Sequence, residues 1–261
     1  MYSYTSHQAY TRYTSLADKV VFITGGASGI GASLVEAFSQ QGARVAFVDL
    51  DEDSALQLQQ QLVEAGQPKP WFQACDVKDI DHLRSCIEEV RSSLGNIGVL
   101  INNAAVDRRH QVDAISETQW LDSLAVNLHP AFFAAQSVKP QMAALGGGAI
   151  LNISSLNTRF GPPQMAAYIT AKAGLLGMTR ALATEFGPDN IRVNAILPGW
   201  VATPRQLDTW LTPEAEAEWM SRLCIKKRLG AHDVAKLALF LASDDAAMIT
   251  AQEYVIDGGR S

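Results

Sequence analysis

The sequence predicts an α/β fold, a doubly wound parallel sheet with helices on both faces. Short apolar runs rich in β-branched residues alternate with longer helical patterns, and a glycine-rich turn follows the first run. The runs are apolar on both faces, as strands of a parallel sheet covered on both sides are. Because no linker rich in Pro, Gly or Ser and no internal repeat divides the chain, we expect one domain over residues 16–261.

The first half of the chain predicts four strands and three helices. Each strand is a short run of Val, Ile, Phe or Leu, and each helix carries apolar residues at helical spacing. A glycine at Gly42 stands where left-handed residues commonly end a helix. In chain order these elements are strand KVVFIT (19–24), helix GIGASLVEAFSQQG (29–42), strand RVAFVDL (44–50), helix EDSALQLQQQLVEAG (52–66), strand WFQACDV (71–77), a helix over 80–94 and strand VLINNAA (99–105).

The second half continues the alternation. A long helix is expected from Glu117 to Ala144, and a second one, AAYITAKAGLLGMTRALATEF, from Ala166 to Phe186. The remaining elements are strand GAILNISS (148–155), strand IRVNAILPG (191–199), an irregular stretch over 203–230, a helix over 232–242 and strand EYVID (253–257).

Composition excludes several classes of function. Of the 261 residues, 48% are hydrophobic and 18% charged, which is enough apolar material for a large core. The formal net charge is −6, without a long Lys/Arg cluster, which disfavours nucleic acid and anionic membranes as partners. Cys75, Cys86 and Cys224 have no metal-ligand spacing, so we expect reduced thiols in a cytoplasmic protein and no metal.

The first 15 residues resemble neither a secretion signal nor a transit peptide. They are rich in Tyr, Ser and Thr, lack an apolar core and contain one basic residue, Arg12. We expect a loosely ordered tail over residues 1–15. No apolar run in the chain is long enough to cross a bilayer.

The glycine-rich turn TGGASGIG, Thr24 to Gly31, lies between the first strand and the first helix. Glycines let the backbone approach a ligand closely, and a helix N-terminus attracts phosphate. The spacing of Gly25, Gly29 and Gly31 differs from the common G-x-G-x-x-G dinucleotide pattern. A tight turn alone would also need glycine, so the evidence for a phosphate site lies in its place between strand and helix.

Asp49 ends the second predicted strand, 24 residues after Gly25. A carboxylate there can accept hydrogen bonds from both ribose hydroxyls and repels a 2′-phosphate. No basic residue stands beside it, since Leu50 follows and Ser28 in the turn is neutral. With the glycine turn in place, the pattern favours NAD over NADP; a solvated aspartate is the alternative.

Polar residues also end the third and fourth strands. Asp76 with Val77, and Asn102 to Ala105, lie where ligands of open α/β sheets bind. Either group could contact an adenine, and either could be an ordinary polar loop.

Ser155, Tyr168 and Lys172 form the most specific pattern. Tyr168 and Lys172 are four residues apart and so share one face of a helix, and Ser155 precedes the tyrosine by 13 residues. A tyrosine is a poor base because its pKa is about 10, but a neighbouring ammonium stabilises the phenolate and lowers that pKa. A tyrosine packed in a helix interface beside a snorkelling lysine is the alternative.

Together these motifs resemble the short-chain dehydrogenase/reductase family from about Lys19 to the C-terminus. The shared motifs are T-G-x-x-x-G-x-G at 24–31, N-N-A at 102–104, Ser155 with Y-x-x-x-K at 168–172, and P-G at 198–199 with Thr203. The resemblance implies a seven-stranded Rossmann-type domain and a homotetramer built partly from the helices at 117–144 and 166–187. One departure is Ala105, where the family usually has glycine.

The resemblance also implies roles for individual residues. Tyr168 would be the general base, Lys172 would hold the nicotinamide ribose and lower the tyrosine pKa, Ser155 would orient the substrate oxygen, and Asn127 would hold a water in a proton relay. The cofactor-binding residues it implies are Gly25, Ser28, Gly29, Ile30, Gly31, Asp49, Asp76, Val77, Asn103, Ala104, Tyr168, Lys172, Pro198, Gly199, Val201 and Thr203.

The loops after strands four, five and six, which line the substrate pocket in this family, are strongly polar here. Several donors and acceptors suit a substrate with several hydroxyls, because unpaired buried polar groups are costly, whereas a steroid or acyl pocket is lined mainly by apolar side chains. These loops resemble those of bacterial NAD-dependent aldose 1-dehydrogenases acting on xylose, galactose, arabinose or fucose. The expected substrate residues are Ser155, Asn157, Arg159, Gln164, Tyr168, Trp200, Arg205, Asp107 and His110.

The predicted activity is therefore oxidation of the anomeric hydroxyl of an aldose to a lactone by hydride transfer to NAD. Plain surface polarity is the alternative explanation for the loops. Rival activities on the same fold are oxidation of a polyol or sugar acid and reduction of a 3-oxoacyl thioester. Asp49 and the acidic net charge disfavour the thioester reduction. A non-catalytic dinucleotide sensor is the rival of another class, although Ser155, Tyr168 and Lys172 are all present.

Overall fold

The chain is described by a computed structural model over residues 10–203, 206 and 212–261. The strands are β1 (Val20–Thr24), β2 (Arg44–Asp49), β3 (Trp71–Ala74), β4 (Ile97–Asn102), β5 (Gly148–Ile153), β6 (Ile191–Pro198) and β7 (Glu253–Ile256). The α-helices of the described ranges are α1 (Gly29–Gln40), α2 (Glu52–Glu64), α3 (Ile80–Leu94), α4 (Glu117–Asn127), α5 (His129–Ala144), α6 (Asn157–Phe160), α7 (Ala166–Phe186), α8 (Pro213–Ser221) and α9 (Ala231–Ala242).

The seven strands form one sheet in the order β3-β2-β1-β4-β5-β6-β7, and every pair is parallel. The predicted doubly wound parallel sheet is confirmed. The strand order reverses between β1 and β4, so the connections from these two strands leave in opposite directions. A crevice opens there beyond the carboxyl ends of the strands, where open α/β sheets bind ligands.

The core lies on both faces of the sheet, which explains why the central strands are apolar throughout. Every residue of β1 and β4 is buried. On one face α1 and α9 pack through side chains such as Phe38 and Leu239. On the other face α3 and α5 pack through Ile87 and Val138.

Side-chain caps fix where several helices begin. Asp51 and Asp79 accept hydrogen bonds from the backbone N–H of Ser54 and His82, both at 3.0 Å. Ser116 begins α4 with a capping box. Each cap satisfies an N–H group that has no partner within the helix, so helices at 52 and 80 begin where the sequence predicts.

The predicted single helix from Glu117 to Ala144 is wrong, because the structure divides it at Leu128. Leu128 has φ −133° and ψ −53°, outside the helical range. Pro130 follows two residues later and has no N–H to donate to the carbonyl four residues back, with which its ring would also clash. Asn127 thereby becomes the last residue of α4, beside the crevice.

The predicted irregular stretch over 203–230 is also wrong in part, since it contains α8. Thr212 caps this helix by accepting a hydrogen bond from the N–H of Ala215 at 3.2 Å. Pro213 occupies the first turn together with Glu214 and Glu216, an arrangement that suits a helix start. The segment "TPEAE" therefore carried a start signal.

The first described residues contact the core. Tyr10 and Tyr13 pack against it, and the N–H of Tyr13 donates to Gln41 Oε1 at 2.8 Å. Residues 1–9 lie outside the described ranges, so the loosely ordered tail over 1–15 stays a prediction. Among the described helices, none has the length and apolarity that crossing a bilayer requires.

Candidate active site

The glycine turn after β1 is packed so closely that side chains would not fit. Gly25 has φ +68°, and a Cβ atom there would lie 2.7 Å from the Cα of Ala104. A Cβ atom on Gly31 would lie 1.8 Å from the carbonyl oxygen of Gly25. Ser28 makes no side-chain cap at the start of α1. The first-turn N–H groups of α1 are therefore available to an anion such as a phosphate.

Asp49 is held beside this turn at the end of β2. Its carboxylate accepts hydrogen bonds from the N–H of Ala27 at 2.8 Å and from the N–H of Asp51 at 3.1 Å. Three more carboxylates follow within four residues, on Asp51, Glu52 and Asp53. The chain after β2 is therefore strongly acidic, and the orientation of Asp49 is fixed by the main chain.

The end of β4 is tied to the same turn. Asn103 Nδ2 donates to the carbonyl oxygens of Thr24 at 3.1 Å and Gly25 at 2.7 Å. The N–H groups of Asn103 and Ala104 both donate to Thr24 Oγ1. At the end of β3, Val77 is buried. These contacts fit a dinucleotide lying across the strand ends.

The other predicted cofactor positions border the cleft above β5 and β6. Gly29 lies below Thr203, since a Cβ atom on Gly29 would be 3.2 Å from Thr203 Cγ2. The N–H of Thr203 donates to the carbonyl of Val201 at 2.8 Å. The cleft is lined by Ile30, Asn103, Tyr168, Lys172, Pro198, Gly199, Val201 and Thr203.

Ser155, Tyr168 and Lys172 meet in this cleft, as the sequence predicts. Lys172 is 2% exposed, and its Nζ donates to the carbonyl of Ile153 at 2.7 Å. The Nζ atom also lies 5.9 Å from the centre of the Tyr168 ring. Burial lowers the pKa of Lys172 to about 7, because a buried ammonium loses its hydration. A nearby phenolate would favour the charged lysine, and the charged lysine would favour the phenolate.

A buried polar chain runs beneath Lys172. Thr179 Oγ1 donates to the carbonyl of Leu175, Asn152 Nδ2 donates to Thr179 Oγ1, and Asn102 Nδ2 donates to Asn152 Oδ1. These bonds fix the orientation of the Asn102 amide. Its Oδ1 is buried without a hydrogen-bond partner among the described residues.

A cavity of about 10 Å³ lies between Asn102, Asn127 and Lys172. That volume is close to what one water molecule needs. The side chain of Asn127 is itself bonded to Val106: its Oδ1 accepts from the N–H at 2.9 Å and its Nδ2 donates to the carbonyl at 3.1 Å. Its predicted part in a proton relay stays a prediction.

The cleft has a volume of about 380 Å³ and collects five of the nine predicted substrate residues. These are Ser155, Asn157, Tyr168, Trp200 and Asp107. Arg159, Gln164 and His110 are not among its described lining residues, although the N–H of His110 donates to the carbonyl of Gln164 and joins two of the loops. Arg205 lies outside the described residues.

Several lining residues were not among the predicted substrate residues. Trp219 comes from α8, and its ring meets Trp200 edge to face with centroids 5.6 Å apart. Asp107, Gln206 and Trp200 form a bridge, since Trp200 Nε1 donates to Gln206 Oε1 at 2.8 Å and Gln206 Nε2 donates to Asp107 Oδ2 at 3.0 Å. Other lining residues outside the predicted substrate set are Ala105, Leu156, Pro162, Pro163, Met165 and Arg109, the last of which, like Gln206, belongs to the polar loops expected to line the pocket. The start signal of α8 could have pointed to Trp219; the pairing of Gln206 with Asp107 and Trp200 had no sequence signal.

Arg260, one residue from the C-terminus, packs against this wall from outside. Its guanidinium lies 4.5 Å from the ring centre of Phe160 and 5.3 Å from that of Trp219. The C-terminal segment therefore supports two helices that border the cleft, α6 and α8.

Comparison with known proteins agrees with this geometry. Residues 25–261 match the family model described as "Enoyl-(Acyl carrier protein) reductase". The chain is 47% identical to "Probable galactose dehydrogenase GalD" of Rhizobium meliloti (strain 1021), covering 95% of this chain and 97% of that protein. It is 44% identical to D-xylose 1-dehydrogenase of Caulobacter vibrioides (strain NA1000 / CB15N), with the same coverage, and 38% identical to D-threitol dehydrogenase of Mycolicibacterium smegmatis (strain ATCC 700084 / mc(2)155), covering 94% of this chain and 93% of that protein.

Among solved structures, the fold matches 7 alpha-hydroxysteroid dehydrogenase complexed with NADH and 7-oxo glycochenodeoxycholic acid. The TM-score is 0.90 at 30% identity, covering 95% of this chain and 96% of that one. The matches extend over the glycine turn, the strand ends and the Ser155–Tyr168–Lys172 cluster, so the chain is an oxidoreductase that acts on a small molecule with a nicotinamide dinucleotide. It belongs to the short-chain dehydrogenase/reductase family.

Proposed function

We propose that the chain is an NAD-dependent aldose 1-dehydrogenase, which oxidises the anomeric hydroxyl of a sugar to a lactone. The observation that carries the proposal is the polar wall above Tyr168, where Asp107, Gln206 and Trp200 are joined by hydrogen bonds. The cleft of about 380 Å³ also has to hold the nicotinamide end of the cofactor, so the space that remains suits a small substrate such as a monosaccharide. Relatives named for galactose and xylose support the same substrate class.

The reaction needs a base at the anomeric hydroxyl and an acceptor for the hydride on C1. When bound, the oxidised nicotinamide supplies that acceptor. Tyr168 takes the hydroxyl proton as the C–H bond breaks, and Ser155, 8% exposed and in the same cleft, donates a hydrogen bond to the reacting oxygen. Removal of one hydride and one proton converts the cyclic hemiacetal into a lactone.

Lys172 keeps Tyr168 in its working state. Its Nζ is fixed by the carbonyl of Ile153 at 2.7 Å, so its charge acts on the phenol from a constant position. Because Lys172 is buried, the effective dielectric around it is low and opposite charges attract strongly there. A phenolate that forms beside the ammonium is therefore stabilised. The small cavity at Asn127 and Asn102 suits a water that passes the proton from Lys172 towards solvent.

The preference for NAD rests on the Asp49 carboxylate. Ala27 and Asp51 hold it at the edge of the glycine turn, where it can accept both hydrogen bonds of a ribose diol. A 2′-phosphate would lie against Asp49 and its acidic neighbours without a basic partner in the turn. Like-charge repulsion therefore opposes NADP.

The proposal is tested by following NADH formation with NAD⁺ and a panel of aldoses, polyols and secondary alcohols, with NADP⁺ in parallel. We expect turnover on one or two aldoses with NAD⁺, and trapping of the product as a lactone. Turnover confined to other alcohols would overturn the sugar assignment and leave the catalytic residues unaffected. A reverse assay with a 3-oxoacyl thioester and NADPH tests the acyl alternative.

Polyol oxidation is the second candidate, because the chain is 38% identical to a D-threitol dehydrogenase. An open-chain polyol presents the same pattern of hydroxyls to Asp107, Asn157 and Gln206. The product distinguishes the two reactions: a polyol gives a ketose or aldose, whereas an aldose gives a lactone. Product analysis by NMR therefore decides between them.

We also propose a cytoplasmic homotetramer. Leu121 on α4 and Phe132 on α5 are 51% and 41% exposed, and exposed apolar groups on adjoining helices suit a subunit interface. The free thiols Cys75, Cys86 and Cys224 suit a reducing compartment. Light scattering tests the assembly: four chains per particle support it, and a monomer at all concentrations contradicts it.

A further inference from the structure

Cys75, His82 and Cys86 form a cluster outside the active site. Cys75 follows β3, whereas His82 and Cys86 lie one turn apart on α3. The two sulfur atoms and a ring nitrogen of His82 all lie within 4.8 Å of one another. Both thiols are free and buried, and His82 is partly exposed. The cluster therefore has two buried sulfur atoms and one side open to solvent.

Two thiols and an imidazole are donors that zinc-type ions prefer. Tetrahedral zinc binds sulfur at about 2.3 Å and nitrogen at about 2.0–2.1 Å, which places ligand atoms somewhat under 4 Å apart. Side chains already within 4.8 Å reach that geometry by small rotations. The alternative, a disulfide, needs the two sulfur atoms about 2.05 Å apart. It would also leave the position of His82 beside the two thiols unexplained.

We propose that Cys75, His82 and Cys86 bind one thiophilic divalent cation of the zinc class. The three side chains supply three ligands, and a water on the exposed His82 side supplies the fourth. Binding releases the thiol protons to solvent, since thiolates are the ligands. No oxidation or reduction takes place.

Acidic groups beside the cluster suit a cation. Asp76 follows Cys75 directly, and Asp79 lies three residues before His82. A divalent cation between the two sulfur atoms would be attracted by these neighbouring carboxylates.

The site is connected to the cofactor pocket through the main chain. The N–H of Cys75 donates to the carbonyl of Asp49 at 2.9 Å, and Asp76 and Val77 follow directly. On the other side, Asp79 accepts from the N–H of His82 at 3.0 Å. An ion that joins Cys75 to α3 therefore fixes the strand end that borders the adenosine, and we expect tighter binding of NADH.

Titration of the reduced, metal-free protein with Co²⁺ tests the site directly, because thiolate ligation gives intense charge-transfer absorption and tetrahedral geometry gives strong visible bands. We expect one Co²⁺ per chain, displaced by Zn²⁺. His82→Asn and Cys86→Ser should each weaken the affinity for Co²⁺ at least about tenfold. Removing only a group that hydrogen-bonds a metal ligand already costs about that much affinity, and these variants remove a ligand itself. His82 is partly exposed, so its variant keeps the test valid if the cysteine variant does not fold.

Cys224→Ser is the matched control, since Cys224 is exposed and lies outside the cluster. We expect its Co²⁺ affinity and spectrum to equal those of the wild type. Absence of the charge-transfer band, or equal affinity in His82→Asn, overturns the site. Quantification of free thiols in the protein as purified gives the other contrary result: a Cys75–Cys86 disulfide in place of ligands.

The connection to the cofactor is measured as the Kd of NADH with and without saturating Zn²⁺, by nicotinamide fluorescence and without turnover. We expect about fivefold tighter binding, the lower end of common couplings between sites, and no change in His82→Asn. An unchanged Kd in the wild type overturns the connection. Neither readout depends on the identity of the sugar.

Discussion

The two sides of the cleft are positioned by different kinds of contact. On the cofactor side, the side chains of Asp49 and Asn103 are hydrogen-bonded to main-chain N–H and carbonyl groups, mostly those of the turn at 24–31. On the substrate side, the side chains of Asp107, Gln206 and Trp200 are hydrogen-bonded to one another, and Trp219 and Arg260 add ring and guanidinium contacts. Backbone contacts tolerate few substitutions, whereas side-chain contacts can be exchanged one at a time. One scaffold can therefore keep its cofactor and change its substrate.

Tyr168 stands where the two sides meet, and its replacement should have the largest effect. In Tyr168→Phe we expect kcat to fall by about a thousandfold, within the range for loss of a general base. The Kd of NADH should stay within about twofold, since the ring is retained. Single-turnover kinetics and NADH fluorescence measure the two quantities. Activity within tenfold of the wild type would show that the phenol is not the base.

On the cofactor side, Gly31→Ala should weaken NADH binding by about a hundredfold. The new Cβ would lie 1.8 Å from the carbonyl of Gly25, so the turn must open and withdraw its N–H groups from the phosphates. Gly177→Ala is the control, because nothing lies within 4 Å of a Cβ there, and alanine favours a helix. Equal losses in both variants would mean that the close packing of the turn is unimportant.

Lys172 connects the two sides and makes the stability of the cofactor-free protein depend on pH. Burial lowers its pKa from 10.5 to about 7, so between these values the unfolded chain binds a proton that the folded chain does not. The destabilisation is full below pH 7 and disappears as the pH rises towards 10.5. Relative to Lys172→Met, the unfolding free energy should rise by about 2 kcal/mol between pH 7 and pH 9.

Urea unfolding of both proteins across this range measures the difference. Subtracting the variant removes the contribution of every other titrating group. A difference that is independent of pH would show that the folded lysine keeps its ordinary pKa.

The placement of the cofactor-side residues could be predicted from the sequence, because their determinants are local, whereas their contacts with a cofactor stay predictions. Gly25, Asp49, Tyr168 and Lys172 each follow from a short motif or from the end of a strand. The parallel sheet could be predicted in the same way, because each strand is a local apolar run that can be identified without knowing which strand it pairs with.

The contacts of the substrate side could not be predicted, because they join distant parts of the chain, although five of the nine predicted substrate residues line the cleft. Gln206 and Asp107 are 99 residues apart, and Arg260 reaches Phe160 from the C-terminus. The break at Leu128 and the helix α8 differ from these long-range contacts, because the sequence did contain a signal for each. Pro130 indicates the break but lies within a long helical pattern, and Thr212–Pro213 indicates the helix start but lies within a polar stretch.

Asp49→Asn separates charge from shape on the cofactor side. The amide oxygen can still accept from the N–H of Ala27, but it no longer repels a 2′-phosphate. We expect the ratio of kcat/KM for NADP⁺ over NAD⁺ to rise by about tenfold, or about 1.4 kcal/mol. Asp51, Glu52 and Asp53 remain and prevent a complete change.

Glu64→Gln, an exposed charge at the far end of α2, is the control for net charge. Its ratio should equal that of the wild type. An unchanged ratio in Asp49→Asn would mean that another group excludes the phosphate.

The smallest effect is expected on the substrate side, at Arg260. Arg260→Met keeps the aliphatic stem and removes the guanidinium that lies over the rings of Phe160 and Trp219. Such contacts contribute about 0.5–1 kcal/mol near a surface, so the KM for the substrate should rise about threefold while kcat and the Kd of NADH stay constant. Arg222→Met, which removes an exposed ion pair with Glu218 next to the same helix, should change none of the three. If Arg260→Met altered NADH binding as well, the two sides of the cleft would not be independent, because a side-chain contact at the C-terminus would then be acting on a backbone-built site.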